Sequence, residues 1–147
     1  MSATFGLSAA RTQKRMENSG AVALDFLRDG KLNMKGTFEH RSAIFMFGFT
    51  HKGGLNHKAA YLASSGNSAS DEAFYNALRA AYNARFGRTD ERALQSVRVR
   101  GRFTQQSTWK PNKNTIITLS YYPENTSRFP GDSPSGRPIR IIYNYTK

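Results

Sequence analysis

The stretch VALDFLRDGKLNMKGTF (22–38) sets the fold class. Val22, Leu24 and Phe26 alternate with other residues up to Asp29-Gly30, a dipeptide suited to the two positive-φ positions of a tight hairpin turn. Beyond it, Leu32, Met34, Gly36 and Phe38 alternate with Lys31, Asn33, Lys35 and Thr37. One face is therefore apolar and the other polar and basic, as expected for an antiparallel hairpin. AIFMFGF (43–49) follows after Glu39-His40-Arg41. It is apolar on both faces, which suits a central strand or one that presents aromatic rings to a partner.

On the N-terminal side, residues 7–16 have the makings of a short basic helix, but Ser, Thr, Asn and Gly surround them. Residues 1–20 are read as a flexible basic arm bearing Arg11, Lys14 and Arg15, and residues 21–147 as a single α+β domain. On the C-terminal side, 51–67 is rich in Gly and Ser; a loop at 50–54 is expected, with a short strand or helix at 59–63. Residues 67–70 (NSAS) offer helix N-caps, and Asp71 and Glu72 complement the positive end of the helix dipole. Phe74, Ala77, Leu78, Ala81, Tyr82 and Phe86 share one helical face, with Tyr75 pointing elsewhere, and Gly87 stops the helix. Thr89-Asp90-Glu91 caps a second, short helix ending near Gln95.

Period two returns afterwards. Val97, Val99, Gly101 and Phe103 alternate with Arg98, Arg100 and Arg102, which predicts one strand with an arginine-lined face. Residues 105–113 are polar apart from Trp109 and read as a long hairpin loop. Residues 115–122 form the next strand, with Ile117, Leu119 and Tyr121 on one side. Residues 123–136 hold Pro123, Pro130 and Pro134 and read as an irregular loop. In the last strand, 137–145, Ile139, Ile141, Tyr143 and Tyr145 share a face. The expected architecture is α+β: a mostly antiparallel sheet of about six strands with one main helix.

Composition narrows the function. The 147 residues carry 22 Lys+Arg against 10 Asp+Glu, a formal net charge of +12, and no cysteine. Disulfide scaffolds, Cys-based zinc sites and thiol catalysis are excluded. No apolar run approaches the ~18–20 residues of a membrane span, and the first ten residues do not read as a secretory signal, so a cytoplasmic protein with no membrane partner is expected. The charge excess is spread through the globular sequence and is densest at 79–102, which holds seven arginines and no lysine. Arginine pairs bidentately with phosphate and stacks on bases, so a polyanionic partner is the physical use for it.

Catalysis is not expected. His40, His51 and His57 lack metal-ligand spacing, and most carboxylates sit at turns or helix starts. Glu17, Asp25, Glu39 and Glu124 are scattered without a motif, and no nucleophile elbow or phosphate-binding glycine loop occurs. No cofactor or metal is implied. The constellation that carries chemistry is the arginine strand and its hairpin. Arg98, Arg100 and Arg102 recur every roughly 6–7 Å, a repeat that suits successive phosphates of an extended strand. Trp109 sits beside Lys110 and Lys113, and Tyr121 offers a further ring. Together with Arg79 and Arg85, these are the candidate nucleic-acid contacts: positive charge plus stacking platforms, the recipe for a single strand.

The run 77–87, then VRVRGRFTQQSTW (97–109) and NTIITLSYY (114–122), resembles the later half of bacterial single-stranded-DNA-binding OB-fold proteins. The resemblance implies an OB-like barrel with Arg98, Arg100, Trp109 and Lys110 on its binding hairpin. It covers about a third of the chain. The N-terminal part has no counterpart, and the Pro-rich loop and final strand depart from the pattern. Three readings follow: a non-catalytic binder of single-stranded DNA or RNA; a basic structural subunit of a viral or other assembly, hence a homo-oligomer; and an inhibitor or accessory factor of a nucleic-acid enzyme.

Overall fold

The computed structural model describes residues 4–28, 30–87, 90–99, 102–122 and 136–146; for 25–28, 90–99 and 102–104 it describes the backbone alone. In chain order the elements are α1 (Ala9–Asn18), β1 (Val22–Arg28), β2 (Lys31–Phe38), β3 (Arg41–Phe49), β4 (Leu55–Leu62), α2 (Ser68–Phe86), β5 (Asp90–Val99), β6 (Arg102–Asn112), β7 (Thr115–Tyr121) and β8 (Ile139–Tyr145). The strands form one sheet ordered β1-β2-β3-β4-β8-β7-β6-β5, with every neighbouring pair antiparallel.

The order is two four-stranded meanders joined back to back. The first runs β1 to β4; α2 then crosses to the far edge, and the second returns from β5 to β8, which pairs with β4. Each meander is preceded by a helix, so the unit helix–four strands occurs twice. The α+β class and the antiparallel sheet stand, with eight strands in place of about six. An OB fold is a five-stranded Greek-key barrel. Among the described pairings this sheet is open, with β1 and β5 as its edges.

Both helices cover the same face. There Leu32, Met34, Phe45, Phe47, Ala60, Leu62, Ile139, Ile141, Ile117 and Leu119 form one buried cluster with Met16 of α1 and Tyr75, Leu78 and Tyr82 of α2. Cross-strand registers set this face: Leu32 lies opposite Phe47, Met34 opposite Phe45, Ala60 opposite Ile141, and Leu119 opposite Ile141. A cavity of about 200 Å³ remains where the end of α1 meets Gly36, Phe38 and Phe45.

Several expectations are corrected here. The segment read as a basic arm carries α1, capped by Ser8, whose Oγ accepts from the Arg11 amide at 3.3 Å, with Thr12 and Met16 buried. A clamp precedes it: the Gly6 amide donates to the Leu55 carbonyl and the Leu55 amide to the Leu7 carbonyl, both at 2.8 Å. The Gly- and Ser-rich region contains a full strand, β4. Where a short helix ending near Gln95 was expected, residues from Asp90 onward belong to β5, with Thr89 outside the described residues, and the loop expected at 105–113 is mostly β6.

The single arginine strand expected at 97–103 is two strands, because Val99 pairs with Arg102 across a chain reversal. A period of two continues through a short reversal, so the pattern could not show where the chain turns. On α2, Leu78 and Tyr82 are buried as expected, with Tyr75 buried beside them, while Ala77 and Ala81 are exposed. The large ring outweighs two methyl groups in choosing the inward face. Asn67 caps α2, its Oδ1 accepting from the Ser70 amide at 3.0 Å, and Gly87 ends it at φ 87°.

Candidate functional site

The expected binding residues do not converge. Trp109 and Tyr121, expected as exposed platforms, are buried at 2% and 4% exposure. The reason is strand alternation. In β6, Ser107 and Trp109 take the helix-covered face, opposite Leu119 and Ile117 of β7. The indole Nε1–H donates to Asn83 Oδ1 at 3.0 Å, and the ring meets Tyr82 edge-on at 5.3 Å, so the polar group is satisfied inside. Tyr121 stacks on Tyr75 at 5.7 Å and donates its hydroxyl to the Ser68 carbonyl at 3.3 Å. Burial, with the nearby charges of Asp71 and Glu72, raises its pKa.

Arg79 and Arg85 lie on α2, in the covering layer, with Arg85 exposed. Lys110 and Lys113 are exposed at the β6–β7 hairpin. Arg100 lies outside the described residues, as do the side chains of Arg98 and Arg102. The positive φ expected at Asp29 also falls outside them, while Gly30 has φ 72°.

What the fold does bring together lies on the other face of the sheet. No described helix packs there, and register assigns its members. Val22 pairs with Lys35, Lys35 with Ile44, Ile44 with Tyr61, Tyr61 with Arg140, Arg140 with Ser120, Ser120 with Gln106, and Gln106 with Arg92. These residues form one row across all eight strands. Cationic residue types occupy its β2, β8 and β5 positions, three strand steps or roughly 14 Å apart. The adjoining row toward the β6–β7 hairpin runs from Asp25 through Asn33, Met46, Ala59, Ile142, Thr118 and Thr108 to Asp90, so acidic residue types hold its β1 and β5 ends. The next carries Lys31, Gly48, His57, Asn144 and Ile116, with His57 Nδ1 2.6 Å from Asn144 Oδ1. Between those two ends, none of the described side chains of these rows is acidic.

Arg140 is the centre of the face. Its guanidinium lies 5.3 Å from the Tyr61 ring centroid and 4.6 Å from that of Tyr122. Both tyrosines and Arg140 are half-buried. The Arg140 Nε is buried without a hydrogen-bond partner.

The remaining buried ionic groups have structural roles. Burial acts to raise the pKa of Asp71, but hydrogen bonds from Ser64, Ser65 and Arg41 outweigh it and hold the carboxyl below its usual range. Arg41 meets Asp71 Oδ1 at 2.6 Å and stacks over Phe74 at 4.2 Å. Arg137 donates to the carbonyls of Ser42 and Tyr61 at 3.1 and 3.0 Å, tying β3 and β4 to the start of β8. Lys58 lies on the covered face between Phe5 and Tyr143, where burial lowers its pKa. No group of three or more metal-ligating side chains occurs among the described residues.

The sequence did signal part of this face. The alternation of Ile139, Ile141 and Tyr143 implies that Arg140, Ile142 and Asn144 point the other way, and Lys31 and Lys35 stand out in the first hairpin. The partner strand holding Tyr61 was legible only as a short strand or helix at 59–63, so the row was not. No described helix is long and apolar enough to cross a membrane. Comparison with protein families, curated proteins and solved structures finds no match for this chain.

Proposed function

We propose that this protein is a non-catalytic nucleic-acid-binding protein, with single-stranded DNA or RNA as its favoured ligand, and that it binds on the face of the sheet that no described helix covers. The observation that carries the reading is the row through Lys35, Tyr61, Arg140 and Arg92, in a chain of net charge +12. A row across the strands, in which Ile44 and Ser120 are buried, offers a path on which cations alternate with neutral and aromatic positions. An extended polyanion gains by counterion release at the cations, and its bases gain by contact with rings and aliphatic groups between them. A duplex would present its bases inward and use only the charges.

The face also accounts for the neutral side chains around the cations. Met46, Ile142 and Thr118, each half-buried, offer apolar and short polar contacts, which suit bases without selecting among them. The exposed Lys110 and Lys113 extend the positive field at the β6–β7 hairpin.

Fluorescence anisotropy with single- and double-stranded oligonucleotides across a salt series tests this. Single strands are expected to bind more tightly, with log affinity falling by about 0.7 per log unit of salt for each phosphate neutralised. Lys35→Gln should lower that slope. Trp109→Phe, inside the core, should leave it unchanged in the folded protein. An affinity that is absent or independent of salt overturns the reading.

A second reading, a subunit that assembles around nucleic acid, is favoured by one observation. Strand β1, an edge among the described pairings, exposes Val22 at 65% and Leu24 at 47%, and an apolar edge is a template for another strand.

A further inference from the structure

We infer that the Tyr61–Arg140–Tyr122 stack is a phosphate subsite. It rests on the nucleic-acid reading above for the polymer that supplies the phosphate, but the anion chemistry stands on the local geometry. A half-buried guanidinium has lost part of its hydration and ordinarily regains the loss through a carboxylate or several acceptors. Arg140 has neither: no carboxylate partners it among the described residues, and its Nε has no acceptor. What it does have is the faces of two rings, at 5.3 and 4.6 Å.

Two ring contacts hold the guanidinium without using its N–H donors, since a cation–π contact is made to the ring faces and consumes no acceptor. The edge of a held guanidinium is a preorganised fork for two oxygens of one tetrahedral anion. Contrast Arg41, which also stacks on a ring but spends its donors on Asp71 and the Ala63 carbonyl, and Arg137, whose donors go to backbone carbonyls. Both are structural by the same criterion that sets Arg140 apart.

The surroundings define the ligand class. Cross-strand neighbours Ser120 and Tyr61 are uncharged, so one monoanion is compensated by one cation, as in a phosphodiester. The Tyr122 hydroxyl is a neighbouring group able to donate to it. Strand register places Lys35 three strands away, close enough to engage a second phosphate of the same chain.

The test follows the Arg140 side-chain Nε–H by 15N–1H NMR in the full chain, titrated separately with inorganic phosphate and with an oligothymidylate. A shift of that signal with both probes supports a general phosphate slot. A shift with the oligonucleotide alone supports a slot that needs the phosphodiester polymer. If the oligonucleotide binds by anisotropy while the Arg140 signal stays put, the subsite is wrong and the nucleic-acid reading survives. If the oligonucleotide does not bind, that reading fails, and the phosphate titration alone decides the slot: no shift overturns it.

In parallel, Arg140→Gln is expected to weaken oligonucleotide binding about tenfold and to lower the salt slope by about 0.7. Arg140→Lys should keep the slope but lose affinity, because an ammonium cannot present the planar fork. If Arg140→Lys matches the wild type in both respects, the stacked-fork geometry is refuted even where Arg140→Gln fails to fold.

Discussion

Asp71 shows how one carboxylate closes the fold. It sits in the first turn of α2, meets Arg41 from the start of β3, and accepts from Ser64 and Ser65 in the loop between. The sequence reading assigned it to the helix dipole alone; its larger role is to anchor α2 to the strand it must cross. Its pKa is held below the ordinary carboxylate value, so the sign is fixed. The stability it contributes is present above the unfolded-state pKa of about 3.9 and is lost as pH falls through the lower folded value. Asp71→Asn leaves Arg41 without its counter-charge and is expected to cost about 3 kcal/mol in urea unfolding at pH 7. The difference from wild type should shrink as pH drops below about 4. A pH-independent difference would show that the carboxylate charge is not what matters. Trp109 carries the opposite lesson. A lone tryptophan among polar residues reads as exposed, yet Asn83 from a helix 26 residues earlier satisfies its N–H inside.

Among the elements, the hairpins were the most legible. Alternation and Asp29-Gly30 give the β1–β2 pair from local information, and the pairing of Arg28 with Lys31 agrees. The β2–β3 turn is less obvious, because Glu39 and His40 both adopt positive φ, 46° and 66°, without a glycine. A left-handed conformation costs a residue with a side chain roughly 1–2 kcal/mol. Replacing the pair by Asn-Gly, the preferred sequence for such a turn, should therefore raise stability by about 1 kcal/mol, measured as a higher urea midpoint with unchanged m-value. A lower midpoint would mean that Glu39 or His40 makes a contact worth more than the backbone strain. β5 and β6 were misread, and β4 was legible only as a short strand or helix at 59–63, for a common reason. Leu55–Leu62 carries Lys58 and His57 among its apolar residues, and β6 mixes Thr, Gln and Ser with one tryptophan. Such strands acquire their identity from neighbours on both sides rather than from their own propensity.

For the whole molecule, charge is arranged along the strand axis. Glu17, Glu39, Asp71 and Glu72, the carboxylates among the described side chains, lie toward the end that carries the β2–β3 turn and the start of α2. Lys31, Lys110 and Lys113 are exposed toward the opposite end, at the β1–β2 and β6–β7 turns. A field with this asymmetry steers an approaching polyanion away from one end of the sheet. The open edge at β1 has its own consequence. If assembly proceeds through this edge, Leu24→Lys should abolish nucleic-acid-dependent growth in light scattering while leaving oligonucleotide affinity within about twofold, since a charge on an edge strand blocks strand addition. Growth that persists in the variant would place assembly elsewhere.

The amino-acid order alone determined the antiparallel sheet, the main helix with its caps, and a surplus of positive charge, because each arises from contacts between residues close in the chain or from a simple sum. Which face of the sheet the helices cover, and so which cations stay in reach of a ligand, was decided only when the second meander returned to place β8 against β4. That pairing joins Tyr61 to Arg140 across 79 positions of sequence. No local pattern can encode a neighbour so distant, since its cost and its reward are both paid in long-range burial.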